Sequence, residues 1–99
     1  MKKNNEFIEA LESAKIIIEP CLLSKNDLYH TLKSENYSEE AIQYALNNIN
    51  VNYFNNAVES IKFYNETYPE MTKEELYEQL IHDEFTLEES QYAVDQLFN

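Results

Sequence analysis

The chain of 99 residues has no glycine and no tryptophan, and its seven basic residues are all lysine. Glycine supplies backbone conformations that other residues reach only at a cost, so a phosphate-cradling loop, a dinucleotide fingerprint and a nucleophile elbow are all excluded. Arginine is absent, and seven lysines face 19 acids for a net charge of −12. Direct binding of DNA or RNA is therefore disfavoured, because neutralising a phosphate backbone takes clustered cations. Cys21 is the single cysteine and excludes an intrachain disulfide; set between Pro20 and Leu22, it is expected to be a small buried hydrophobe rather than a nucleophile. The longest apolar run, Ile16 to Ile18, is far too short to span a bilayer. The basic opening at Lys2-Lys3 is followed by Glu6, Glu9 and Glu12, unlike a signal peptide or lipobox. As written the chain reads as soluble and cytoplasmic with no membrane segment, and as a cell-surface protein if a targeting segment was removed.

What is present is a stretch that occurs twice. At an offset of 48, Lys25, Leu28, Tyr29, Leu32, Glu40, Gln43, Tyr44 and Ala45 recur as Lys73, Leu76, Tyr77, Leu80, Glu88, Gln91, Tyr92 and Ala93. Most differences keep the chemistry: Ser24 becomes Thr72, Tyr37 becomes Phe85, Ser38 becomes Thr86 and Asn47 becomes Asp95. A period of this length marks a duplicated supersecondary unit. Apolar residues at 7, 8, 10, 11, 14, 17 and 18 have the spacing of one helical face over 5–19, closed by Pro20. Phe54, Ala57, Val58, Ile61, Tyr64 and Tyr68 do the same over 53–68, before Pro69.

Between and after these long helices lie two tight pairs. Ser24 with Asp27, Thr72 with Glu75 and Thr86 with Glu89 have the spacing of capping boxes, while Ser38 and Asn52 are single caps. Asn36 is suited to the left-handed turn that glycine would normally occupy. The fold class that follows is all-α: six helices in two tandem three-helix repeats, about 5–49 and 52–98, packed in one compact domain spanning 1–99. The two long helices are expected to pack together within it.

These residues resemble the Ltp-type repeat of host cell surface-exposed lipoproteins. The likeness is carried by the Leu-Tyr-x-x-Leu helices at 24–32 and 72–80, by the Tyr-Ala-Leu/Val-Asn/Asp helices at 37–47 and 85–95, and by the joint Asn50-Val-Asn-Tyr-Phe-Asn-Asn-Ala-Val. Asn52 and Tyr53 stand where the family often has Asp and Trp, and Cys21 lies inside the repeat rather than at a lipidated amino terminus. The resemblance implies a helical protein-binding module of superinfection exclusion, which blocks entry of another phage's DNA by contact with its tape-measure protein.

The charge is unevenly placed: residues 1–49 carry 8 acids and 5 lysines, net −3, whereas residues 50–99 carry 11 acids and 2 lysines, net −9. Glu74, Glu75, Glu78, Asp83, Glu84, Glu88, Glu89 and Asp95 are accordingly the candidate partner-binding residues. Several sit three or four positions apart on a helix, where like charges cost a few tenths of a kcal/mol per pair, roughly, unless a partner answers them. The reading from charge is a non-catalytic inhibitor in phage–host conflict that occupies a basic, nucleic-acid-binding surface, as DNA-mimic or anti-CRISPR-like proteins do. The alternatives are the Ltp-like exclusion factor and a homo-oligomeric helical scaffold. No cofactor, metal or catalytic residue is expected, since His30 and His82 have no Cys or His partner at ligand spacing. Tyr29, Tyr44, Tyr77 and Tyr92 are expected to pack with the hydroxyl at the surface, and Tyr37, Tyr53, Tyr64 and Tyr68 to be freer for a partner.

Overall fold

The computed structural model describes residues 2–98, and side chains at 5–18 and 22–98; the side chains of Lys2, Lys3 and Cys21, with the expected burial of the thiol, lie outside the described residues. Among the described residues there are six α-helices: α1 Lys2–Cys21, α2 Lys25–Ser34, α3 Glu39–Asn48, α4 Tyr53–Thr67, α5 Lys73–His82 and α6 Leu87–Phe98. Among the described residues there is no strand. The chain divides into two units, one holding α1, α2 and α3 and the other holding α4, α5 and α6 together with the loop residues Leu22–Ser24.

Within each unit the long helix packs most extensively on the last helix of its own repeat, α1 on α3 and α4 on α6. In the first unit Ala10, Ala14 and Ile18 form the buried i, i+4 row of α1, and Ala41, Ile42, Ala45 and Leu46 face inward from α3. Leu28 and Leu32 of α2 are fully buried. In the second, Ala57 and Ile61 of α4 meet Leu76, Leu80, Phe85, Ala93 and Val94 in one cluster, edged by Val58, Tyr64, Met71, Tyr77 and Leu97.

The helix ends show how a chain without glycine turns. Leu22, Asn36 and Glu84 have positive φ, at 53°, 71° and 70°. α1 runs one residue past Pro20, to Cys21, and the reversal falls at Leu22. Asn36 and Glu84 are the same position in the two repeats, the residue that closes the turn of each short helix pair. Around Glu84 the amide of Phe85 donates to the Leu80 carbonyl at 3.1 Å and that of Glu84 to Ile81 at 2.9 Å. These bonds satisfy the last carbonyls of α5, but a glutamate with a Cβ meets a steric cost there that glycine would not.

Caps divide by repeat. Thr72 and Glu75 form the reciprocal box of α5, with bonds of 3.1 and 2.8 Å, and Thr86 and Glu89 do the same for α6 at 3.0 and 2.9 Å. Asn52 accepts from the Asn55 amide at the start of α4. At the head of α3 the arrangement differs. Ser38 Oγ accepts from the Ala41 amide at 3.2 Å, yet the position that would hold the reciprocal acid is Ala41, which is fully buried. Glu6 of α1 takes its place, accepting from the Ser38 amide at 2.8 Å and the Ser38 hydroxyl at 3.1 Å. A capping carboxylate thus reaches α3 from a different helix.

Asp83 organises the turn of the second unit. Its carboxylate accepts from the Tyr64 hydroxyl at 2.6 Å and from Gln79 Nε2 at 3.2 Å, and its carbonyl accepts from the buried Ser24 hydroxyl at 2.9 Å. Asn56, also buried, donates to the Leu23 carbonyl at 3.0 Å. Burial, and then the bond to Asp83, push the Tyr64 hydroxyl up to about 12 from its ordinary 10.0.

Two outcomes are expected. Glu84→Asn relieves the left-handed cost and raises stability by about 0.5 kcal/mol, whereas Glu6→Ala removes the borrowed cap and weakens the first unit by about 1 kcal/mol; native-state hydrogen exchange of the α5 and α3 amides reads each. Folded Tyr64 keeps its proton through the range in which an unfolded tyrosine loses it. The native state then binds more protons than the unfolded one, so this contribution to stability is intact below pH 10 and lost as the pH rises toward about 12. Tyr64→Phe should remove both that alkaline decline and the last-ionising tyrosine seen by ultraviolet difference titration.

Candidate protein-interaction surface

The eight candidate carboxylates separate into two groups. Glu75 and Glu89 are engaged as capping acids, Asp83 sits in the turn network, and Asp95 accepts from Gln91 Nε2 at 2.9 Å. Their acidity serves the fold. Glu74, Glu78, Glu84 and Glu88 are exposed, and of these Glu84 occupies the left-handed turn position.

The tyrosines depart from expectation in the same direction. Tyr37, Tyr53 and Tyr64 were expected to be available, yet Tyr37 hydrogen-bonds Ser13 Oγ at 2.9 Å, Tyr64 holds Asp83, and the Tyr53 hydroxyl is buried without a hydrogen-bond partner. Burial, and next the charge of Glu89, raise the Tyr53 hydroxyl above its ordinary range. Tyr68 is exposed. Tyr37, Tyr53 and Tyr64 are all half-buried, and the partners of Tyr37 and Tyr64 lie far along the chain, which spacing does not register. Tyr92, expected to pack, is instead 43% exposed and meets Phe54 edge-on at 5.4 Å.

The surfaces of the two short helix pairs differ most where the repeats diverge. On the α2–α3 surface, Glu39 accepts from the Tyr29 hydroxyl at 2.7 Å and from Gln43 Nε2 at 3.1 Å, and Lys33 Nζ lies 3.5 Å from the same carboxylate. The Tyr29 bond, then the Gln43 bond, hold the Glu39 carboxyl below the usual carboxylate range, and the Glu39 bond raises the Tyr29 hydroxyl in turn. The surface is closed by its own polar network.

At the equivalent positions on α5 and α6, Tyr77 and Gln91 persist, but Lys33 is matched by Ile81 and Glu39 by Leu87. The acceptor that the tyrosine and the glutamine shared is gone. Gln91 turns to Asp95, and Leu87 is left 65% exposed. Between the two helices runs a groove of ≈ 310 Å³ lined by Lys73, Glu74, Tyr77, Glu78, Gln91 and Val94. Lys73 is held at its end, its ammonium 5.8 Å from the centre of the Phe98 ring. A smaller hollow of ≈ 260 Å³, lined by Met71, Glu75, Glu78, Gln79 and His82, lies on the other side of Glu78. Acid spacing marks Glu74 and Glu78 but not Tyr77 and Gln91, which recur in both repeats; the signal for this surface is the change from Glu39 to Leu87 beside them.

Among the described residues, no group of three or more histidine, cysteine and acidic side chains is placed to hold a metal ion. Nor is any helix among them long and apolar enough to cross a membrane.

Comparison with known proteins places the fold. The family model described as host cell surface-exposed lipoprotein matches twice in tandem, over residues 5–49 and 52–97. No curated protein matches the chain. Among solved structures, the chain is similar to Ltp, a superinfection exclusion protein from the Streptococcus thermophilus temperate phage TP-J34, at 35% identity and a TM-score of 0.81, covering 91% of this chain and 93% of that one. With nearly its whole length accounted for by two copies of one repeat, the chain belongs to the Ltp family of host cell surface-exposed lipoproteins.

Proposed function

We propose that the protein is a superinfection exclusion factor: a non-catalytic module that captures a component of an incoming phage by protein contact and so prevents entry of its DNA. The observation that carries this reading is the likeness to Ltp across both repeats, since it extends over 93% of the solved Ltp chain rather than over one shared helix pair. A tape-measure protein is the partner this mechanism calls for, and the family's description as surface-exposed supports action at the cell envelope.

The same likeness favours exclusion over inhibition of a nucleic-acid-binding defence protein, the reading that charge alone put first. A mimic of a phosphate backbone needs an array of available carboxylates. Four of the eight expected ones, Glu75, Asp83, Glu89 and Asp95, are bound within the protein. The other four, Glu74, Glu78, Glu84 and Glu88, suit a cation-bearing segment of a protein partner better than a continuous duplex.

Expressed on the outer face of the host membrane behind a lipoprotein signal and spacer, the protein should lower the efficiency of plating of a sensitive phage while leaving adsorption unchanged. The same chain kept in the cytoplasm should not. The opposite result, no protection from the exported form together with relief of a nuclease defence by the cytoplasmic form, would return the mimic reading to first place.

A further inference from the structure

The two repeats carry one surface in two states. In the first, the groove-side tyrosine, glutamine and a lysine ammonium converge on the Glu39 carboxylate within 3.5 Å. In the second, the tyrosine and glutamine are retained, the internal cation is replaced by Ile81, and its anion by the exposed Leu87. The neighbouring α5 positions change in the complementary sense, since Asn26 and His30 of α2 are matched by Glu74 and Glu78. The second repeat has lost an ion pair and gained two carboxylates beside an open groove, whose own cation, Lys73, lies against the Phe98 ring at one end.

We propose that the α5–α6 groove is a docking site for a lysine-rich segment of a partner protein. One lysine stem lies over Tyr77 and Val94, and its ammonium is received between Glu74 and Glu78. These carboxylates stand one helical turn apart, with Cβ atoms about 5–6 Å from each other, close enough for one ammonium to bridge. The groove volume of ≈ 310 Å³ accommodates a long side chain and part of the backbone that bears it. Lysine suits the site because a long methylene stem can cover the apolar floor while its charged head stays at the rim. Lys33 beside Glu39 shows an ammonium in the matching neighbourhood of the first repeat. That internal pair occupies the matching surface of the first repeat. Complementarity of the groove with a cation is reinforced by the net −9 of residues 50–99, which draws basic segments toward this half of the chain. The site rests on the exclusion reading for the biology of its partner, but its chemistry is testable without a phage.

The probe is a short peptide with lysine at every third or fourth position, compared with a counterpart that has glutamine in place of lysine, titrated into the full chain by calorimetry and by NMR shifts of the Gln91 side-chain amide. The lysine peptide should bind one per chain and shift Gln91, and the glutamine peptide should not. E74Q/E78Q should weaken binding by about tenfold, whereas E66Q/E70Q, an equal loss of charge from exposed positions of the same repeat, should weaken it by less than about twofold. I81K/L87E, which grafts the first repeat's ion pair onto the second, should weaken it as strongly as E74Q/E78Q. Circular dichroism checks that each variant keeps its helices. Equal weakening by the two glutamine pairs, binding with no shift at Gln91, or equal affinity for the two peptides would overturn the docking site. Phage challenge separates the two levels: if the anchored protein gives no protection, the exclusion reading fails, and if E74Q/E78Q protects as well as the unchanged protein, the groove alone fails.

Discussion

The fold depends on a seam of small side chains. Ala10 and Ala14 on α1 and Ala41 and Ala45 on α3 are all fully buried, so methyl groups hold four core positions of the first and last helices beside Ile18, Ile42 and Leu46. Alanine at such positions adds helix propensity and loses no rotamer freedom on burial, which lets a unit of three short helices close around few large residues. In the second repeat Ala57 and Ala93 keep part of this arrangement, and Ile61 and Phe85 supply the bulk. Replacing any of these alanines by a larger residue would force the helices apart, with an overpacking cost of about 1–3 kcal/mol.

That seam also explains where the repeats part company. Ala41 occupies the third position of α3, where a capping box wants glutamate, and its burial against the neighbouring helix leaves no room for one. The amide of Ser38 still needs an acceptor, and Glu6 supplies it. In the second repeat Glu89 is only partly buried and caps its own helix, so α4 is released from that duty. The long helices match one residue out of that register, Phe7 against Tyr44 corresponding to Phe54 against Tyr92, so the counterpart of Glu6 is Tyr53, whose hydroxyl is buried. The buried Ala41 thus goes with an acid on the long helix of its repeat, and the self-capping Glu89 with an aromatic ring at the matching half-buried position.

Sequence periodicity made the helices legible because it reflects a physical requirement of burial: the six elements, the duplicated unit, the boxes at Thr72–Glu75 and Thr86–Glu89, and the left-handed turn at Asn36 all follow from spacing and residue chemistry. Contacts between side chains distant along the chain did not. Nothing local distinguishes Glu6 from its neighbours Glu9 and Glu12, and nothing local marks Asp83 as the acceptor for Tyr64. Candidate surface acids were over-counted for the same reason, since a glutamate three residues after a threonine is both a capping group and a charge. Leu22 carries no local signal for the left-handed region, since leucine rarely enters it and Pro20 marks the helix end two residues earlier.

Duplication lets one copy hold the fold while the other explores a surface. The core leucines of the short helix pair, Leu28 and Leu32 against Leu76 and Leu80, are the same in both copies and fully buried, while positions 26, 30, 33 and 39 differ from 74, 78, 81 and 87, of which Glu74 and Glu78 line the groove. Drift acting on solvent-exposed sites would scatter polar residues among one another, since exposed positions tolerate most polar exchanges within about 0.5 kcal/mol. The change from Lys33 and Glu39 to Ile81 and Leu87 instead removes an ion pair whole and exposes apolar surface in its place. Loss of one member alone would leave its partner's charge unanswered, so the paired replacement is the route by which a self-satisfied surface becomes one with unmet acceptors and an apolar floor. Such a surface gains from a partner what the first repeat already provides for itself.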